Sequence, residues 1–255
     1  MLRLACLTVL ALVPAFAHAE CRYTADRNFD IPASGLRTLA FDLGSNDLVV
    51  EGAPGQTTIE VRGRACSSDA AWLDQLTVDQ RRDGDRVTIT PHAGHDIHFG
   101  YAYVDLRVRV PANLAIVAKG DSGDVEARNI GSLDFDSSSG DLVADHVAGK
   151  LGGEVSSGDI RASDIGDVEI RRTSSGDITL RDVHGPIEVA RVGSGDLHFD
   201  TVGSVRIGSV GSGDITVSGV GGDFRVGSRG SGDITHRNVR GKVTVPHDND
   251  DDDND

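Results

Sequence analysis

Aromatic residues are scarce in this sequence, with one tryptophan, three tyrosines and seven phenylalanines among 255 residues. Large rings supply much of the apolar area in an ordinary globular core, so their scarcity argues against a core of that kind. Glycine, in contrast, occurs 32 times. Few rings and many glycines indicate flat strands joined by tight turns.

Basic residues are in deficit, with 25 lysines and arginines against 40 aspartates and glutamates and a formal net charge of -15. Nucleic acids and anionic lipid surfaces are bound through clusters of basic groups. The charge balance therefore predicts that neither nucleic acid nor an anionic membrane surface is a partner.

Long apolar runs are missing apart from one. Residues 4–17 follow Arg3 and end in Ala17-His18-Ala19, an arrangement typical of a secretory signal with its cleavage site. The run is shorter than the roughly 20 apolar residues of a membrane-spanning helix. We therefore expect a signal peptide over 1–19, an exported chain that begins at Glu20 without a membrane span, and a location in the periplasm or at the cell surface.

Cysteine occurs three times, and Cys6 lies inside the predicted signal peptide. Cys21 and Cys66 remain, an even number in an exported chain, so we expect them to form one disulfide bond. Closing a loop of about 46 residues would stabilise the fold by roughly 4 kcal/mol on the chain-entropy estimate.

Sequence signatures of the common enzyme classes are absent. The chain has no G-x-S-x-G nucleophile motif and no phosphate-binding Walker loop, and its glycine-rich strings read as turns. We therefore predict a protein that is not an enzyme and that needs no cofactor.

The most regular feature is Ser-Gly-Asp followed by an aliphatic residue, which recurs at intervals of 17, 18, 18, 19, 18 and 19 residues. Each repeat contains two apolar-polar alternations, such as Val168-Glu169-Ile170 and Ile178-Thr179-Leu180, which are typical of half-buried strands. Self-similarity at a short period indicates a solenoid. We predict an all-β fold, a parallel β-solenoid of about 18 residues per coil. The seven aspartates are Asp124, Asp141, Asp159, Asp177, Asp196, Asp214 and Asp233.

The repeat pattern is weaker in the N-terminal part. Residues 47–63 resemble a degenerate coil, with Ser45-Asn46-Asp47 in place of Ser-Gly-Asp. Asp83-Gly84-Asp85 indicates a hairpin, residues 68–76 a short helix, and residues 104–110 a strand that leads into the coils. We expect an irregular β-rich region with degenerate coils and a cap over 20–111, regular coils over 112–245, and a disordered acidic tail over 246–255.

A family resemblance follows from these motifs. Val108-Arg109-Val110-Pro111 before a series of Ser-Gly-Asp-aliphatic repeats, behind a secretion signal, resembles the "putative adhesin" or head GIN-like family of β-solenoid domains. The resemblance covers roughly residues 37–245. It implies an envelope or surface protein that is an interaction or structural module, with an envelope protein or polymer as partner and at most weak self-association.

In a stacked solenoid the seven aspartates would form a column with about 4.8 Å between backbones. Neighbouring carboxylates repel at that spacing, so the column must be solvated, hydrogen-bonded or bridged by cations. We expect a structural role, in which the glycines adopt positive φ and the serine and aspartate side chains bond nearby backbone amides. A column of Ca²⁺ ions is the alternative, although the calcium β-roll motif differs from Ser-Gly-Asp.

Two further functions rest on polar side chains. His92, His95 and His98, with Asp96, are candidate ligands for a metal such as zinc if they share one loop, and a solvated loop is the alternative. A polysaccharide-active enzyme would need two carboxylates about 5–5.5 Å apart for a retaining mechanism. The aspartate column offers no unique pair with distinct environments, which disfavours that function.

The strand before the regular coils is the candidate partner-binding surface. If its aliphatic residues face the core, the opposite face is outward, and exposed rings beside arginines are common anchors of protein interfaces. The alternative is that the segment around Trp72 covers these rings. The outward residues are Phe99, Tyr101, Tyr103, Asp105, Arg107 and Arg109.

The C-terminal tail, residues 247–255, contains six aspartates in nine residues, so self-repulsion should keep it disordered. We expect it to guard the open end of the solenoid, because charge beside unpaired strand edges discourages stacking between copies. Weak binding of divalent cations is the alternative.

Overall fold

The computed structural model describes residues 21–93 and 100–246. The predicted signal peptide, His95, Asp96, His98, Phe99 and the acidic residues from 247 onward lie outside these ranges. The N-terminal elements are β1 (Tyr23–Asp26), β2 (Phe29–Pro32), β3 (Thr38–Asp42), β4 (Leu48–Ala53), β5 (Thr58–Ser67), a 3₁₀-helix (Ala70–Gln75), β6 (Thr77–Asp83), β7 (Arg86–His92) and β8 (Ala102–Pro111).

The regular coils follow β8. Their strands are β9 (Ala115–Gly120), β10 (Val125–Ile130), β11 (Ser132–Ser137), β12 (Leu142–Val155), β13 (Ile160–Thr173), β14 (Ile178–Val183), β15 (Ile187–Val192), β16 (Leu197–Val202), β17 (Val205–Ser212), β18 (Ile215–Val220), β19 (Phe224–Ser231), β20 (Ile234–Arg237) and β21 (Val243–Thr244).

The coils stack as parallel strands on two faces, which confirms the predicted β-solenoid. On one face β10, β12, β13, β14, β16, β18 and β20 pair in succession. On the other face β9, β11, β12, β13, β15, β17, β19 and β21 do the same. β12 and β13 belong to both faces because each continues through a corner.

The core consists of aliphatic columns that run along the solenoid. After each of the first six motif aspartates, the next residue and the residue two positions beyond it are buried, as Ile178 and Leu180 show. After Asp233, Ile234 is partly buried and His236 is exposed. Identical positions stack, for example Ile160 on Ile178 and Ile178 on Leu197. Stacking of one coil on the next therefore buries aliphatic side chains that a single coil would leave exposed to solvent.

One corner of each regular coil is formed by a residue in the left-handed conformation, followed by an aliphatic residue that is buried in all but the last coil, where Val239 is partly buried. Asn129 has φ 57°, Asp164 54° and Thr201 56°, and each precedes such an inward residue. Asparagine and aspartate tolerate this conformation better than other non-glycine residues. The corner thus supplies one further inward aliphatic position in each repeat, in addition to those of its two strand alternations.

The motif glycines have a different role from the one predicted. Only Gly232, with φ 118°, lies in the left-handed region among the glycines of the seven Ser-Gly-Asp motifs, so the expectation of positive φ is wrong for the other six. A Cβ on Gly158 would lie 2.0 Å from the carbonyl oxygen of Gly140, and one on Gly176 would lie 2.2 Å from that of Gly158. Glycine is needed because successive coils approach too closely for a side chain.

The N-terminal part contains both coils and a cap. β4 lies parallel between β8 and β10, so the first half of the predicted degenerate coil does stack with the regular coils. Its second half is not, because β5 runs antiparallel to β1, β2 and β8. The predicted hairpin is formed by β6 and β7, and the predicted short helix is the 3₁₀-helix.

The predicted disulfide bond joins Cys21 to Cys66, with Cα atoms 5.5 Å apart. It ties the segment that enters β1 to the end of β5, and Cys66 is fully buried. Among the described residues, no helix has the length and apolar character needed to cross a membrane.

Candidate partner-binding surface

β8 has one buried and one outward face, as its alternation predicts. Val104, Leu106, Val108 and Val110 are buried in the core. The opposite side chains point away from it because successive residues of a strand face opposite sides. Tyr101 precedes the strand, and the outward residues within it are Tyr103, Asp105, Arg107 and Arg109.

Tyr101 and Tyr103 lie at the start of this outward face, and we define the aromatic patch as these two rings together with Arg22 and Tyr23 of the adjoining N-terminal segment. Tyr23 and Tyr101 are each 37% exposed. The ring centroids of Tyr101 and Tyr103 are 6.2 Å apart, and the Arg22 guanidinium lies 5.5 Å from the centroid of the Tyr23 ring. Two solvent-accessible rings and a cation over one of them form an amphipathic surface.

The disulfide bond and two hydrogen-bonding contacts hold this patch in place. The backbone N–H of Arg22 donates to the Tyr101 hydroxyl over 3.1 Å, and the Tyr103 hydroxyl lies 3.5 Å from the Sγ of Cys21. β1 pairs with β5, and β5 places Cys66 opposite Tyr103. The tyrosines are therefore fixed by the covalent link that also holds the N-terminal segment.

Trp72 contacts the backbone ahead of Tyr101. A Cβ built on Gly100, whose φ is 124°, would lie 3.1 Å from the Trp72 ring and 2.2 Å from the Ser68 hydroxyl oxygen. Glycine is required there by both the backbone conformation and the lack of space. Trp72 covers Gly100 and leaves Tyr101 accessible to solvent.

Charge and burial change the titration of two outward residues. Burial raises the pKa of the Tyr103 hydroxyl, and the Asp105 carboxylate raises it further. Burial also raises the pKa of the Asp105 carboxyl, with a second contribution from the negative charge of Asp47. Tyr103 therefore stays a neutral hydroxyl at physiological pH.

The predicted arginines lie at the other end of β8. Arg109 is six residues from Tyr103, about 20 Å along an extended strand, and pairs with Glu51 over 3.9 Å. Both Arg107 and Arg109 are exposed. The structure thus separates an aromatic end from an arginine end, with Asp105 between them.

Sequence reasoning missed Arg22 and Tyr23. They follow Cys21 directly, so the expected bond to Cys66 placed them near β5. The disulfide bond alone does not bring them to Tyr101. That requires β5 to pair antiparallel with β8 as well, and no sequence pattern predicted this pairing.

The aspartate column is a ladder of hydrogen bonds between coils. Each Oδ1 accepts the backbone N–H of the aspartate one coil further on, over 2.8 to 2.9 Å, and the series begins at Asp47. The expected bond to an amide of the same turn is therefore replaced by one to the next coil. A strand spacing near 4.8 Å brings the next amide within reach of a short side chain.

Asp105 extends this column by one position beyond Asp47. Leu106 donates its N–H to the Asp47 carbonyl, as Leu48 does to that of Asp124. Sequence analysis did not identify Asp105 as a member of the column, because Tyr103-Val104 precedes it where the regular motif has Ser-Gly. Burial is the main cause of the raised pKa of the Asp105 carboxyl, and repulsion by the neighbouring Asp47 carboxylate adds to it.

The candidate metal ligands are only partly within the described residues. The His92 Nε2 lies 3.1 Å from Asp79 Oδ2 across the β6–β7 hairpin, which gives this ring a protein partner. In residues 21–93 and 100–246 no three histidine, cysteine, aspartate or glutamate side chains are arranged to hold a metal ion. Binding of Ca²⁺ by the ladder and of zinc by the histidines stay predictions.

Comparison with known proteins identifies relatives by sequence and by fold. The sequence model of the Toastrack DUF4097 family matches residues 36–251. No curated protein matches. Among solved structures, a "putative adhesin" from Bacteroides fragilis is similar with a TM-score of 0.50 and 14% identity, over 88% of this chain and 98% of that one.

Two proteins from Parabacteroides distasonis are less similar in fold. A "putative adhesin" has a TM-score of 0.47 and 16% identity, over 83% of this chain and 97% of that one. A "putative lipid binding protein" has a TM-score of 0.43 and 16% identity, over 88% and 97% respectively.

Proposed function

The chain belongs to the Toastrack DUF4097 family, and from that premise we propose that it is a non-enzymatic, adhesin-like module that binds a protein partner through the aromatic patch. The predicted secretory signal supports an exported protein of the envelope or cell surface. The fold likeness to the Bacteroides fragilis "putative adhesin" supports an interaction role.

The observation that carries the proposal is the exposure of Tyr23 and Tyr101 on a rigid support. Tyrosine and arginine dominate the energetics of many protein interfaces because they combine a large apolar area with polar ends. The disulfide bond and the Tyr101 hydrogen bond fix the rings before binding, so little conformational freedom is lost on association.

The ladder supports a role without catalysis. Its carboxylates repeat one environment from coil to coil, and each Oδ1 from Asp47 to Asp214 already accepts an amide. Acid-base catalysis by two carboxylates needs environments that push their pKa values apart. The ladder instead joins successive coils.

The proposal is tested with a Tyr23→Ser, Tyr101→Ser double variant. Immobilised parent protein is expected to capture a partner from an envelope extract, and the double variant is expected to lose it. The captured protein is then purified and its affinity for both forms is measured by calorimetry. Loss of two interface rings should weaken binding by about tenfold or more.

Val143→Ser is the matched control because Val143 is 39% exposed on a coil remote from the patch. Far-UV circular dichroism and melting temperature establish that each variant is folded. An Arg107→Gln, Arg109→Gln variant tests the arginine end of β8 separately. Equal affinity of the parent and the tyrosine variant for the purified partner would refute a role for the aromatic patch.

A further inference from the structure

The corner formed by the left-handed residues is open towards the C-terminal end of the solenoid. A groove of about 400 Å³ follows this corner across four successive coils. The corner residues of these coils are Asp182, Thr201, Gly219 and Asn238, and each has a positive φ. Three steps of about 4.8 Å make the groove roughly 14 Å long, and its volume lies in the range of about 300–1,000 Å³ that is usual for small-molecule sites.

Glycines create this corner groove. The position two residues after the corner residue is occupied in successive coils by His184, Gly203, Gly221 and Arg240. Gly203 and Gly221 carry no side chain, so neither of them fills the space between the His184 and Arg240 side chains. A Cβ on Gly221 would meet no atom closer than 3.5 Å, and this glycine is exposed. At Gly221 the floor of the groove is therefore exposed backbone.

Side chains close the same corner in earlier coils. The corner residue His146 has one ring nitrogen 2.7 Å from Asp145 Oδ2 and the other 3.2 Å from Asp164 Oδ2. Asp164 Oδ1 lies 2.6 Å from the Nε2 of His184. These contacts end at His184, where the groove begins. In the neutral His184 ring, Nε2 donates to Asp164 and Nδ1 is left as an acceptor.

The polar side chains beyond His184 have no such partners. Within residues 21–93 and 100–246, the side chains of Asp182, Thr201, Asn238 and Arg240 form no hydrogen bond or ion pair. They supply a carboxylate, a hydroxyl, an amide and a guanidinium, which include both donors and acceptors. The charges of Asp182 and Arg240 are opposite, and no aromatic side chain is among the lining residues. The groove therefore favours a neutral, hydroxyl-rich ligand over an ion or an apolar molecule.

We propose that the corner groove binds a neutral oligosaccharide segment of an envelope or surface polysaccharide. A sugar hydroxyl both donates and accepts hydrogen bonds, which matches a lining that contains both kinds of group. A groove that extends along the solenoid also suits a linear polymer. It lies in the last four coils, remote from the aromatic patch, so the two sites are independent. Without a ring to stack on the sugar, we expect a dissociation constant on the order of 1 mM.

The proposal is tested by NMR spectroscopy of the full chain. Maltotriose, cellotriose and triacetylchitotriose are neutral probes that differ in linkage and substituents, and each is added to about 20 mM, well above the expected dissociation constant. At least one of them is expected to shift the amide resonances of Gly203, Gly219 and Gly221 in a saturable manner. Inorganic phosphate and tetraglutamate, added in the same way, are expected to leave these resonances unchanged.

Two variants test the groove itself. Gly221→Gln fills the floor and should abolish the shifts, and the fold should tolerate it because a Cβ has room there. Asn238→Gly removes one amide group at a corner where positive φ favours glycine, and it should weaken binding by roughly three- to tenfold. Asn129→Gly is the matched control and should bind as the parent does, because Asn129 has φ 57° at the same corner outside the groove. Far-UV circular dichroism and melting temperature establish that each variant is folded.

Three results would overturn the proposal. The first is that no neutral probe shifts the groove amides. The second is equal binding of a neutral probe to the parent and to Gly221→Gln, which would place the saccharide elsewhere. The third is a response of the groove amides to phosphate or tetraglutamate alone, which would make the ligand an anion. The Tyr23→Ser, Tyr101→Ser variant should bind the saccharide as the parent does, so this proposal and the protein-binding role of the aromatic patch can fail separately.

Discussion

At the scale of single residues, each aspartate of the ladder both accepts a hydrogen bond from the next coil and repels the neighbouring carboxylates. From Asp47 to Asp214 each carboxylate accepts an amide N–H from the next coil, which offsets the repulsion between neighbours. Asp105, at the start of the column, is half-buried, and its pKa is raised by burial and by Asp47. An ionised carboxylate is therefore least favourable at this end of the column.

Asp105→Asn is expected to raise the melting temperature at pH 7. A carboxyl whose pKa is raised on folding favours the folded state below its unfolded pKa of about 3.9, and this contribution is lost as pH rises through the folded pKa. At pH 7 the ionised Asp105 opposes folding, so its removal is stabilising, and the difference should disappear at pH 3. Thermal unfolding at both pH values measures this.

Asp74→Asn, on an exposed residue of the 3₁₀-helix, is the control and should behave as the parent at both pH values. A lower melting temperature for Asp105→Asn at pH 7 would mean that the carboxylate makes a stabilising contact, and it would contradict the burial argument.

At the scale of strands and turns, the regular motif is a device for close stacking. Alternation predicted the strands, since apolar residues at every second position must face a core. The reason why the motif requires glycine at its second position could not be predicted from a local pattern. Within one repeat Ser-Gly-Asp reads as a turn, and only the neighbouring coil shows that Gly176 has no room for a Cβ.

Gly176→Ala is therefore expected to lower the free energy of unfolding by more than about 2 kcal/mol, because the new methyl group would overlap the Gly158 carbonyl oxygen. Gly221→Ala is the matched control. Its Cβ would meet nothing closer than 3.5 Å, and its φ lies outside the left-handed region, so a change within about 0.5 kcal/mol is expected. Urea unfolding compares them. Equal stability of the two variants would show that the coils can move apart at little energetic cost.

At the scale of the whole molecule, each coil contacts mainly its neighbours, so the effect of a lost contact should stay local. The N-terminal cap is the exception to the repeat, since β1, β2 and β5 pair antiparallel beside β8. The disulfide bond lies in this cap, next to the aromatic patch.

A Cys21→Ser, Cys66→Ser double variant is expected to lose about 2–5 kcal/mol of stability. Hydrogen exchange should increase in β1 and β5, while β14, β16 and β18 keep their protection, because these coils do not contact the cap. Mass spectrometry of exchanged peptides measures both regions. Uniform loss of protection along the chain would contradict the local coupling expected of a solenoid.

Period, alternation and the two cysteines were sufficient to predict the coil length, the inward positions and the disulfide bond, because each is dictated by local geometry or by residue count. Contacts between residues far apart in the chain were decided by the tertiary structure. Asp105 joins the column only because β8 stacks on β4. The Arg22 backbone reaches the Tyr101 hydroxyl because β5 pairs with both β1 and β8, and the motif glycines from Gly140 to Gly232 face a carbonyl 17 to 19 residues away. Such contacts depend on which strands become neighbours, a choice made by the packing of the whole chain.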